Sequence, residues 1–118
     1  MIEELRHIAE VEFADIVKAS WFVDNKLRIS IADQTFVDVY LSRDVVGKFG
    51  FHWERRDRGL YRYDNVPDIN WKSASTFPYH FHRGSHDNVE SSPFPCEPIA
   101  GFRGFMCFVR DVLGNKNG

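Results

Sequence analysis

Leu27-Arg28-Ile29-Ser30-Ile31, then Ala32-Asp33-Gln34, then Phe36-Val37-Asp38-Val39-Tyr40-Leu41, is the stretch that decides the fold. Side chains alternate across a strand with period two. Leu27, Ile29 and Ile31 therefore share one face, and Arg28 and Ser30 the other. Val37, Val39 and Leu41 repeat the pattern against Phe36, Asp38 and Tyr40. The polar triplet between the two runs reads as a turn. The pair is then an antiparallel hairpin with one apolar face.

Outward from this hairpin the same logic continues. Upstream, residues 17–23 read as a strand turning at Asp24-Asn25, although the run from Phe13 also admits a helix. Downstream, Phe49, Phe51 and Trp53 alternate with Gly50, His52 and Glu54; Asp57-Arg58-Gly59 turns, and residues 60–63 return. The result is an antiparallel meander of about five strands. Ile2, Leu5, Ile8 and Ala9 recur at helical spacing, and Glu3 and Glu4 suit a first turn, so residues 2–10 predict an N-terminal helix. Residues 65–77, with Pro67, read as loop. Residues 91–98, with Pro93, Pro95 and Pro98, read as extended or turning chain. A C-terminal helix follows over residues 99–113, with Pro98 at its start, Gly114 as C-cap and a stripe of Phe102, Phe105, Met106, Val109, Val112 and Leu113 as core. The expected fold is α+β, the meander packed by both helices. One domain spans residues 1–114, with a frayed tail over 115–118.

Composition sets the outer limits. A chain of 118 residues holds one core, and eleven Phe, three Trp and four Tyr supply its bulk. Cys96 and Cys107 are too few for a disulfide scaffold and form no C-x-x-C motif; Cys107 reads as a small core residue. The acidic start lacks the basic region of a signal peptide, and no apolar run reaches the ~18 residues of a membrane span. A cytoplasmic location and no membrane contact are expected. Net charge is −2, which excludes nucleic-acid binding through bulk charge. The distribution is uneven. Residues 1–44 carry five basic against nine acidic residues, and residues 45–83 seven basic against four acidic. A local basic face on an acidic protein is one consequence; solvated turns and strand ends are the other.

The basic excess coincides with the histidines. In Tyr79-His80-Phe81-His82-Arg83-Gly84-Ser85-His86 an extended chain places His80 and His82 side by side on one face, with Tyr79 and Phe81 toward the core. Arg62 and Asp64 share a face of the preceding strand by the same rule. Two chemistries fit. Without a metal, His80 and His82 form an acid–base pair for RNA cleavage, since imidazole titrates near neutral pH. Arg62 and Arg83 then hold phosphate, and Asp64 orients a histidine. Tyr63, Lys72 and His52 join as substrate-binding residues. Alternatively His80, His82 and His86, with Asp64, bind a divalent metal. The plainer reading is histidines satisfied by backbone and aromatic neighbours at a sheet edge. His7 reads as a surface helix position.

Taken together, Asp-Gln-Thr-Phe-Val-Asp-Val-Tyr (33–40), Phe-His-Trp-Glu (51–54), Tyr-Arg-Tyr-Asp-Asn-Val-Pro (61–67), Phe-Pro-Tyr-His-Phe-His-Arg-Gly (77–84) and Asn-Val-Glu (88–90) resemble the TumE family of bacterial and archaeal toxin–antitoxin systems. The resemblance covers residues 13–113. It implies a toxin acting on RNA or translation, with a helix-turn-helix antitoxin as partner. Asp68 and Tyr79 stand where the family pattern places histidines, which removes two ligands from any metal scheme built on them. A non-catalytic binding module anchored by Phe49, Phe51, Trp53 and Trp71, and a structural metal protein, are the alternatives. The oligomeric state is open, a homodimer included.

Overall fold

The two alternating runs become neighbouring strands in the computed structural model, which describes residues 1–65 and 78–115. The chain order is α1 (Ile2–Glu12), β1 (Val17–Val23), β2 (Lys26–Ile31), β3 (Phe36–Leu41), β4 (Phe49–Glu54), β5 (Leu60–Asp64), β6 (His80–Gly84), β7 (Val89–Ser91) and α2 (Pro98–Gly114). Among the described residues the strands form one antiparallel meander of seven, each beside its sequence neighbour. The expected α+β class with a helix at each end is present. The expected count of about five strands is corrected to seven. Strands β6 and β7 are short and lie beyond residues 66–77, so no local turn signal joins them to β5. Lys72, Trp71, Asp68 and Phe77 lie outside the described residues, as do residues 116–118 of the tail.

The turns explain the register. Asp24 adopts φ 55° and Gln34 φ 70°, the left-handed region that tight turns require. Asp33 accepts hydrogen bonds from the Thr35 backbone and hydroxyl, and the same hydroxyl oxygen accepts from Trp53 Nε1 at 2.8 Å. Between β4 and β5 a short 3-10 turn, Arg56–Arg58, ends at Gly59 with φ 89°. A Cβ on Gly59 would stand 2.3 Å from the Gly84 carbonyl oxygen, so this close approach of β5 and β6 admits only glycine.

One face of the sheet is apolar and lies under the helices. Leu27, Ile29, Ile31, Val37, Val39, Phe51, Trp53, Tyr63 and Phe81 are all fully buried, together with Phe102, Phe105 and Met106 of α2. Phe51 meets Phe102 edge-on at 5.3 Å, an arrangement that adds a favourable quadrupole contact to area burial. Pro98 occupies the first turn of α2, and the Glu97 carboxylate accepts from Ile99 N and Ala100 N. This satisfies two of the orphan donors at the helix start. Two details differ from expectation. Asn115, in extended conformation, caps α2 in place of Gly114. Cys107 is exposed, because the buried stripe of Phe102, Phe105, Met106 and Val109 turns it to solvent. Phe49, Phe51 and Trp53 are fully buried, so these three aromatics cannot anchor a partner. No helix among the described residues is long and apolar enough to cross a membrane.

Candidate functional site

Among the described residues the other face of the sheet has no helix over it, and the strand register sorts its side chains into rows. Arg28 pairs with Asp38, Asp38 with His52, His52 with Arg62, Arg62 with His82. The parallel row is Lys26, Tyr40, Gly50, Asp64, His80 and Ser91. Adjacent strands lie ~4.8 Å apart, so the first row runs about 19 Å from Arg28 to His82. Trp21, paired with Arg28 on the edge strand, extends it and is 44% exposed.

At one end of the rows, polar groups are concentrated and buried. Asp64, His80 and His82 are 2%, 3% and 7% exposed. Asp64 divides its carboxylate. Oδ2 takes Arg62 Nε at 2.7 Å, and Oδ1 takes His80 Nε2 at 2.9 Å. His80 Nδ1 donates to the Pro78 carbonyl at 3.0 Å. Both of its nitrogens therefore face acceptors, the arrangement of an imidazolium. Burial works against that charge, but Asp64 and the Pro78 carbonyl outweigh it and raise the His80 pKa. His82 Nδ1 donates to the His86 carbonyl at 2.8 Å, which fixes the neutral tautomer with its lone pair on Nε2. Burial, helped by the charges of His80 and Arg62, lowers the His82 pKa. The two rings stand edge to face with centroids 5.0 Å apart. The expected juxtaposition of His80 and His82 is present, but the pair is buried and not laid out on an open surface.

Of the further residues that the sequence proposed, the structure brings some to this face and not others. His52 lies on this face beside Arg62; burial lowers its pKa against the pull of Glu54, 3.6 Å away. His86 is exposed, with its ring 5.8 Å from His82 and 6.2 Å from His52. Tyr63 is not brought to the site. It points to the opposite face, fully buried, and its hydroxyl donates to the Pro95 carbonyl at 2.9 Å. Arg83 also points to that opposite face. It pairs with Glu90 at 2.9 Å and lies over the Phe81 ring at 5.1 Å. Odd and even positions of a strand cannot meet, so Tyr63 and Arg83 are separated from Arg62, Asp64, His80 and His82. Lys72 lies outside the described residues.

A groove of about 560 Å³ runs along the rest of the polar face, and Arg62 lines it. Its charged walls are four cations, Lys26, Arg28, Lys48 and Arg62, against two anions, Asp38 and Glu54. A cationic channel thus crosses a protein whose net charge is −2. Phe36 and Tyr40 add aromatic surface. Arg28 lies flat over Phe36, 4.1 Å from the ring centre, and grips Asp38 with two hydrogen bonds of 2.9 and 3.0 Å. Gly50 is part of the floor. Lys26, Arg28, Phe36, Tyr40 and Lys48 were not singled out from the sequence as site residues. The signal was there: the alternation that put Leu27 and Ile29 inside put Lys26 and Arg28 on the outer face.

As to metals, the nearest ligand atoms of Asp64, His80 and His82 all lie within 4.8 Å of one another, and His86 is not part of that group.

The fold and site define an α+β protein with a seven-stranded meander. One face of the sheet is core, and the other is a polar groove that ends at Arg62 and the buried Asp–His–His cluster. Comparison with family models matches residues 2–113 to the family described as Toxin TumE, and the chain belongs to that family. No match was found among curated proteins or among solved structures. A toxin of such a system has an antitoxin as its partner.

Proposed function

We propose that this toxin acts on RNA, and that the polar face of the sheet is the surface on which it does so. The carrying observation is the continuity of that face: a cationic, aromatic groove leads through Arg62 to the buried Asp64–His80–His82 cluster. Lys26, Arg28 and Lys48 supply phosphate contacts, and Phe36, Tyr40 and Trp21 offer rings on which unpaired bases stack. Single-stranded RNA fits this pattern, because stacking needs bases out of a duplex.

At the end of the groove Arg62 meets the scissile phosphate and offsets charge as it develops. The attacking group is the RNA's own 2′-hydroxyl. Its proton passes to the cluster, the P–O5′ bond breaks, and the leaving oxygen takes a proton back. The products are a 2′,3′-cyclic phosphate and a 5′-hydroxyl. His82, held as the neutral tautomer by the bond from its Nδ1 to the His86 carbonyl, receives the proton, and His80, whose nitrogens both face acceptors, is the charged member of the pair. Asp64 holds His80 and Arg62 in position.

A helix-turn-helix antitoxin would silence the toxin by covering this cationic groove with acidic side chains. Translation inhibition without cleavage is the second reading, favoured by the groove's extent away from the cluster. The test is incubation of the purified chain with a labelled single-stranded RNA. Cleavage leaving cyclic-phosphate ends, lost in Arg62→Gln and His82→Gln, is the expected result. Intact RNA, bound with salt-sensitive affinity, would move the function to obstruction of a target. An absence of both binding and cleavage would remove RNA as the substrate.

A further inference from the structure

We propose that Asp64, His80 and His82 form a binding site for a divalent transition-metal ion of the Zn²⁺ class. The proposal concerns the same cluster as the RNA reading, but the two can fail separately.

The donor set comes first. Two imidazoles and one carboxylate suit a borderline ion of this kind, and three protein ligands leave coordination positions for water or substrate. The nearest ligand atoms already lie within 4.8 Å of one another. His80 Nε2 and Asp64 Oδ1 are 2.9 Å apart. Neighbouring ligands of one ion at ~2.1 Å stand roughly 3.0–3.4 Å apart, so small rotations would close the set.

The surroundings are a second, separate observation. A metal-bound histidine usually donates its other ring N–H to a carbonyl or carboxylate, which fixes the tautomer and turns the ligating nitrogen inward. Both histidines do this here. His80 Nδ1 donates to the Pro78 carbonyl and His82 Nδ1 to the His86 carbonyl, at 3.0 and 2.8 Å. In each ring Nε2 is thereby the atom given to the cluster. Asp64 is supported in the same way, since Arg62 Nε holds Oδ2 at 2.7 Å and turns Oδ1 toward His80 Nε2, 2.9 Å away, where the ion would take the place of the shared proton. Both histidines are therefore oriented by main-chain atoms, and the site needs no histidine at position 68 or 79.

Burial is the third. Gathering a carboxylate and two imidazoles with less than a tenth of their surface exposed is costly, and hydrophobic side chains of similar volume would fill the space at less cost. An ion converts that cost into binding free energy. Its arrival releases to solvent the proton that His80 Nε2 shares with Asp64, so the charge balance is one divalent cation in and one proton out.

The experiment uses the full chain stripped with chelator. ZnCl₂ is titrated calorimetrically, and Co²⁺ is followed by its visible absorbance, with melting recorded alongside. Expected are one ion per chain, a raised melting temperature and a Co²⁺ spectrum of low coordination number. Asp64→Asn and His82→Gln should each weaken Zn²⁺ by at least ~100-fold, and Arg62→Gln by about 10-fold, as loss of a supporting contact does. His86→Ala should change nothing, because only its backbone carbonyl takes part. If His80→Ala does not fold, Asp64→Asn, nearly isosteric, still decides the matter through its circular dichroism and its Zn²⁺ affinity. Absence of heat, melting shift and Co²⁺ absorbance at metal concentrations far above that of the protein would overturn the proposal. Equal affinity in wild type, Asp64→Asn and His82→Gln would do the same. RNA cleavage by a chain that binds no metal would leave the RNA reading standing. Stoichiometric metal with RNA neither bound nor cut would leave only the metal site.

Discussion

The two faces of the sheet are made by the same strands and obey opposite rules. Under α1 and α2, Leu27, Val39, Phe51, Tyr63 and Phe81 lie against apolar neighbours, and burial there lowers the free energy without further conditions. On the far side, Asp64, His80 and His82 are almost as deeply buried, but there the Asp64 oxygens, both His80 nitrogens and His82 Nδ1 are held by hydrogen-bonding or charged partners. Exchanging residues within the first face costs packing. Exchanging residues within the second leaves a buried charge or donor unanswered. The difference teaches that alternate positions of each strand go to the core and to the polar face. Tyr63 lies in the core, and its neighbours Arg62 and Asp64 lie on the face we propose as the site.

That division is open to breaking by substitution. The largest effect is expected from the apolar face: Phe51→Ala should destabilise by roughly 3–5 kcal/mol in urea melts. Next comes Arg62→Gln, expected to lower RNA cleavage by about 10²–10³-fold, as removal of a transition-state charge contact does, and to lower the melting temperature too, because it takes the guanidinium from the buried Asp64 carboxylate. A destabilised Arg62→Gln of unchanged specific activity would erase the contrast. Gly59→Ala should follow, at about 2 kcal/mol, since its φ of 89° and the Gly84 carbonyl 2.3 Å from the new Cβ both oppose it. Tyr63→Phe sharpens the comparison. Losing its hydrogen bond to Pro95 should cost about 1 kcal/mol in thermal melts and leave cleavage untouched.

The smallest effect is electrostatic. Burial opposes the Asp38 charge, but Arg28 and Lys26 outweigh it and hold its pKa below the usual carboxylate range. The folded pKa is thus depressed, so its contribution is present above the unfolded value of ~3.9 and disappears as pH falls through the folded one. Wild type and Asp38→Asn should differ in melting temperature at pH 7, by an amount worth about 1 kcal/mol or less, and converge below about pH 4. A difference that persists in acid would mean that Asp38 acts through packing.

Much of this arrangement is legible in the sequence because period two is a local property. The hairpin of Leu27 to Leu41 can be read from its alternation, and with it the sharing of a face by Arg62 with Asp64 and by His80 with His82. What alternation cannot supply is register across distant strands. The pairing of Asp64 with His80 joins residues sixteen apart with no turn signal between them. The strand count fell short for the same reason. Arg83 was credited to the site on sequence proximity, whereas the pleat sends it to the other face beside Glu90. Burial of the histidines was also beyond reach, since nothing in a H-x-H spacing says how much chain surrounds it. The groove cations were visible as alternate positions, but their meeting with Arg62 depended on the order of four strands, β2 to β5.

The most direct measurement of the division between faces is growth and total-RNA integrity after induction of the chain alone, beside His82→Gln and Tyr63→Phe, with melting of each purified protein. The expected result is arrested growth and fragmented RNA in wild type and Tyr63→Phe, and neither in a folded His82→Gln. Full toxicity in a folded His82→Gln, or its loss in a folded Tyr63→Phe, would contradict the assignment of function to the polar face.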